Sequence, residues 1–142
     1  MFKFINKKTT KNPNKSKEKL IMTASLLIHA AKIDQNYSEK EKEIIEKTLT
    51  NLSEETHDFK QIMSVAEKQE EDSNQILEFT REIKNTDSEF KIKVIESLWE
   101  IIYSNKQADI YETNLMRRLT GLLYLDNKTV GDIKKRMEKK FI

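Results

Sequence analysis

The chain has 142 residues, a normal length for one domain with a real core. Two glycines, one proline and no cysteine argue against an all-β fold and exclude disulfides, thiolate metal sites and thiol nucleophiles. The net charge of +2 hides segregation: residues 1–20 carry seven lysines against Glu18, residues 51–86 nine acids against four bases, and the last fifteen residues six bases against two acids.

Residues 1–16 lack helical periodicity and read as a basic, mobile arm preceding a domain over 17–142. Its opening, "MFKFI", offers Phe2, Phe4 and Ile5 to a lipid interface while the lysines face anionic headgroups, so residues 1–15 are a candidate contact with an anionic membrane surface. No apolar h-region with a cleavage site follows, so no signal peptide is expected. From about Lys17 to Ile33, Ile21, Ala24, Leu27, Ile28 and Ala31 recur at i, i+3, i+4, i+7 spacing, and Leu20, Leu26 and Ala30 widen the stripe. The spacing predicts a central helix; its apolar run is shorter than the ~20 residues that span a bilayer.

A second helix is predicted over 39–52 (Ile44, Ile45, Leu49, Leu52) and a third over about 55–70 (Phe59, Ile62, Met63, Ala66). The fourth, about 73–84, presents Ile76, Leu77, Phe79, Thr80 and Ile83. Thr86 and Glu89 spell a capping box for a fifth helix, 87–104, the most apolar of all. Leu115, Met116, Leu119, Leu122 and Leu123 define a sixth over 110–124, and Val130, Ile133, Met137 and Phe141 a seventh over 128–141. With no competing strand signal, the expected class is all-α, a compact bundle of about seven helices.

The pattern contains an echo. A shift of 71 residues lays the first helix pair over the fifth and sixth: Leu27 meets Leu98, Ile28 meets Trp99, and Ile44 and Ile45 meet Leu115 and Met116. The polar corners repeat too, "DQNYSEKE" (34–41) over "NKQADIYE" (105–112), so Ser38 meets Asp109 and Glu41 meets Glu112. Each corner has a cap residue followed three positions later by glutamate, the grammar of a capping box. A pseudo-duplicated helix pair follows.

On these residues, "AAKIDQNYSEKE" and "LWEIIYSNKQADIYETNLMRRLTGLLYL", the chain resembles the TerB-like domains named for tellurite resistance, which also form a portion of some membrane-linked co-chaperones. The resemblance covers roughly residues 20–141. It implies a seven-helix, pseudo-duplicated fold and a non-enzymatic, stress-associated accessory or scaffold role. It also implies a divalent cation, calcium or magnesium, at the acidic corners, which nominates Asp34, Glu41, Asp109 and Glu112 as metal ligands. Here the two loop glycines of the family pattern are Gln35 and Lys106, and the second loop aspartate is Asn105.

Asp34, Asn36 and Ser38 place oxygens at alternate positions, as a calcium loop does. Counting from Asp34, however, position 6 is Glu39 rather than glycine, and position 12 is Ile45 rather than a bidentate glutamate. The corner is therefore either a helix cap or a hard-cation site of different geometry, completed if the two corners converge. His29 and His57 form no H-E-x-x-H pair, and no P-loop, dinucleotide fingerprint or nucleophile elbow occurs, so no enzyme is expected. No base-stacking or groove-reading motif supports nucleic-acid binding. The expectation is a cytoplasmic protein, peripheral at the inner membrane face if the arm engages lipid, with a protein partner. An adaptor tethered by the arm, on a membrane surface or beside a co-chaperone, is the alternative role.

Overall fold

The computed structural model describes residues 13–32, 37–53, 55–72, 76–103 and 110–141. The elements are α1 (Pro13–Lys32), α2 (Glu39–Leu52), α3 (Phe59–Asp72), α4 (Ile76–Thr80), a 3-10 turn (Ile83–Asn85), α5 (Ser88–Tyr103), α6 (Ile110–Leu122) and α7 (Asn127–Phe141). Among the described residues there is no strand.

α1 is apolar on most of its circumference: Leu20, Ala24, Leu26, Leu27, Ile28, Ala30 and Ala31 are all buried. A helix of that kind must be surrounded, and α2, α3, α4 and α5 pack around it. Its buried hydroxyls stay satisfied by bonding back along the chain: Thr23 donates to the Lys19 carbonyl at 2.9 Å and Ser25 to that of Ile21 at 2.8 Å. α5 is the second such helix, burying Val94, Ile95, Leu98, Trp99, Ile101 and Ile102. It packs on α1, α2 and α7. Leu27 and Leu98, paired by the 71-residue echo, are both fully buried in one continuous core. Thr48 of α2 and Ser97 of α5 share a buried hydrogen bond of 2.8 Å.

Four elements differ from their predicted form. α1 begins at Pro13, earlier than the spacing predicts; proline suits a first helical turn because its missing N–H is not needed there. α3 starts at Phe59, after Asp58, whose carboxylate accepts from the Gln61 N–H. α4 is one short turn followed by the 3-10 segment, not a helix over 73–84. The Thr80 hydroxyl donates to the Leu77 carbonyl (3.2 Å), a bond that competes with helix continuation, and Leu77 is left exposed. The cap of α5 is Asp87, not Thr86: the Phe90 N–H donates to Asp87 Oδ1 at 2.8 Å. The Thr86 hydroxyl instead donates to the Ile83 carbonyl (2.6 Å) and closes the 3-10 turn. Asp87 also places a carboxylate at the helix N-terminus, where the dipole favours it.

α6 ends in a Schellman turn. The Leu125 N–H donates to the Thr120 carbonyl (3.1 Å) and the Tyr124 N–H to that of Gly121 (3.2 Å). Tyr124 therefore occupies the position that usually holds glycine, with φ of 58°. α7 then lays Val130, Ile133 and Met137 into the core, while Lys135 and Arg136 are exposed and the Lys134 ammonium lies over the Trp99 ring at 5.5 Å. Met137 is thus the one buried side chain of the basic C-terminal "KKRMEKK".

α7 is tied to α5 by the Tyr103 hydroxyl, which donates to Glu138 Oε2 at 3.0 Å. Burial, then this bond and the carboxylate's charge, push the Tyr103 pKa up from 10.0 to about 12. The unfolded chain loses this proton near pH 10, while the folded protein still holds it. The contribution to stability is therefore complete below about pH 10 and disappears as pH rises through about 12. Urea midpoints measured across that window should fall, and Tyr103→Phe should make the fall shallower.

Candidate cation-binding corner

The first polar corner delivers chain from α1 to α2. Ser38 lies just outside α2 in extended conformation (φ −91°, ψ 172°), and its side chain accepts from the Glu41 N–H. Glu41 reciprocates: its Oε1 accepts from the Ser38 N–H at 2.8 Å and from the Ser38 hydroxyl at 2.9 Å. The capping box read from the sequence is complete. Those bonds draw the Glu41 side chain inward until the residue is 1% exposed.

Only one of its two oxygens is used. Glu41 Oε2 is buried with no hydrogen-bond partner. Leaving a buried acceptor unmet costs roughly 1–3 kcal/mol, and more for a charged group. Two ring nitrogens, His57 Nε2 and Trp99 Nε1, share this condition, but among the described residues Glu41 is the one acid that does.

The neighbouring acids on α3 have partners. Glu70 Oε1 meets Lys32 Nζ at 2.7 Å, and its Oε2 meets His29 Nδ1 at 3.2 Å. The His29 ring also lies 6.2 Å from that of Phe79, so this histidine is a half-buried member of a packed, polar seam between α1 and α3. Glu67 Oε2 accepts from the Tyr37 hydroxyl at 2.8 Å and faces Lys42 Nζ at 3.5 Å. Lys42 also approaches Glu39 (3.6 Å), and the Lys32 and Lys42 ammonium groups flank the Tyr37 ring. Burial first, then the Glu67 bond and the charges of Glu67, Glu39 and Glu46, hold the Tyr37 phenol protonated far above its ordinary range.

Of the four nominated ligands, Glu41 is described in full. Asp34 and Asp109 lie outside the described residues; Glu112 sits in α6, its side chain likewise outside them. Among the described residues no three His, Cys, Asp or Glu side chains converge as a metal-binding group. A buried carboxylate oxygen is nonetheless the hard donor that calcium and magnesium take, so Glu41 fits the implied ion in type. The sequence reading missed the Tyr37–Glu67–Lys42 and His29–Glu70–Lys32 groups. A signal existed for the second: Glu70 continues the apolar series Phe59, Ile62, Met63, Ala66 at helical spacing, and an acid on a buried stripe needs a partner.

The described residues form an all-helical bundle with two central helices and a capped, acid-lined corner. A family model described as Tellurite resistance protein TerB matches residues 20–135, and the chain belongs to that family. No curated protein and no solved structure matches it.

Proposed function

We propose that this TerB-family chain is a non-enzymatic accessory protein, a stress-associated scaffold that holds a divalent cation at its helix corners. The observation that carries the reading is the unmet, buried Oε2 of Glu41. Calcium or magnesium would take Glu41 together with Asp34 at the first corner, and Asp109 and Glu112 at the second. Such an ion would neutralise carboxylates and fix the path of the chain between helices, a structural task with no bond made or broken. The polar surroundings support this division of labour: Lys32, His29, Lys42 and Tyr37 already satisfy Glu67 and Glu70, leaving Glu41 as the donor in need.

The protein stripped with a chelator should melt higher when calcium or magnesium is restored, because an ion bound only by the native state adds about 2.7 kcal/mol at a hundredfold excess over Kd. Glu41→Gln, which keeps the acceptor that caps α2, should abolish that rise. A wild-type melting temperature indifferent to both ions would refute the reading. Among the described residues no helix is long and apolar enough to cross a membrane.

A further inference from the structure

Two large apolar side chains stand out from the described surface, Leu77 at 53% and Tyr124 at 74% exposure. They are far apart in sequence, one on α4 and one after α6, yet they line the same groove. Its volume is about 320 Å³, and Arg81, Lys84, Gly121 and Leu122 complete most of its wall. Among the described residues no carboxylate lines it.

Arg117 and Arg118 stand one helical turn before Gly121 and Leu122, both exposed. None of Arg81, Lys84, Arg117 or Arg118 pairs with an acid among the described residues, whereas Arg136, Lys93 and Lys60 each do. The backbone adds a second observation. Tyr124 holds a left-handed conformation that glycine adopts freely and a tyrosine does not. Its side chain repays the fold with no hydrogen bond or ring contact among the described residues. A strained, exposed tyrosine beside Arg81 and Lys84, neither paired with an acid among the described residues, has the composition of a binding surface rather than of a packed one.

We infer that this groove docks an acidic, amphipathic segment of a partner protein: an apolar side chain of the segment seats between Leu77 and Tyr124, and its carboxylates meet Arg81, Lys84, Arg117 and Arg118. The charge decides the occupant. The chain's own N-terminal region carries seven lysines in its first twenty residues and is repelled by a cationic groove. A cavity of this size admits one or two side chains, which suits an anchored peptide segment better than a flat lipid surface.

The test is selection of short random peptides, displayed on phage, against the full chain, with the selected sequences resynthesised and titrated by fluorescence anisotropy. Acidic peptides with an aliphatic or aromatic anchor should emerge, binding more weakly as salt is raised. Leu77→Ser, Tyr124→Gly and Arg81→Glu should each weaken them about tenfold or more. Tyr124→Gly should at the same time melt above the wild type, since it relieves the backbone. No enrichment over the Leu77→Ser/Tyr124→Gly double variant would overturn the inference, as would neutral or basic winners, or winners indifferent to the variants. So would a Tyr124→Gly chain that melts lower, which would give the ring a structural role. Phosphatidylglycerol vesicles bound in place of peptides, or a dimer that the same variants dissolve, would assign the groove to lipid or to a second copy instead.

Discussion

Truncating Leu98 to alanine should destabilise the bundle by about 3–4 kcal/mol, read as a lower urea midpoint with an unchanged slope. Leu98 is fully buried on α5 in the core it shares with Leu27. Removing its branch forfeits the transfer free energy of the lost atoms and adds the cost of a void that surrounding helices cannot fill. A fully buried leucine in close-packed surroundings has no route to collapse without moving α1 or α5, and both are held on nearly every side. Leu27→Ala should behave alike, since it faces the same interior from the other half. Leu77→Ala supplies the contrast: at 53% exposure it should change stability by less than about 0.5 kcal/mol. With a total stability of about 5–15 kcal/mol for a domain of this kind, the Leu98 loss is large enough to populate the unfolded chain measurably.

Removal of Glu70 should have the next largest effect, about 2 kcal/mol for Glu70→Ala. The carboxylate is 6% exposed and joins α3 to two groups of α1, Lys32 at 2.7 Å and His29 at 3.2 Å. Taking it away leaves both facing a gap on the α1–α3 seam. Lys32 is 36% exposed and its ammonium can turn to water, which holds the cost below that of a wholly buried pair. Glu70→Gln should lose less than alanine, because an amide oxygen still accepts from one donor. If alanine and glutamine prove equal and both near zero, the ion pair contributes nothing net and α1 and α3 are held by apolar packing alone. Thermal melts of the two variants beside wild type decide it.

The helices were legible because their apolar residues repeat at helical spacing, and Leu27 and Leu98 could be paired because two stretches carry one pattern. Local hydrogen-bond chemistry was legible where its partners lie three residues apart, as with Ser38 and Glu41. It misled at Thr86, where two adjacent residues both qualify as caps: the Thr86 hydroxyl is spent on the Ile83 carbonyl, and Asp87 accepts from the Phe90 N–H instead. Contacts across the bundle left a fainter mark. Glu70 meets His29 and Lys32 from about forty positions away, and only its place on a buried stripe signalled a partner. The groove left no local trace, since it arises where α4 stops short and the turn after α6 swings Tyr124 beside Leu77. The nominated ligands came from the family resemblance; of the four, Glu41 alone has its side chain among the described residues, with one buried oxygen that meets no hydrogen-bond partner.

The placement of α1 has a consequence for biogenesis. The most enclosed helix, α1, is synthesised before its counterpart α5, whose matching residues lie 71 positions later. At ordinary translation speeds that interval lasts roughly 4–14 s. For that time α1 has α2, α3 and α4 to pack against but lacks α5, so a product truncated after α4 should expose the apolar face that α5 covers and aggregate rather than persist as a smaller domain.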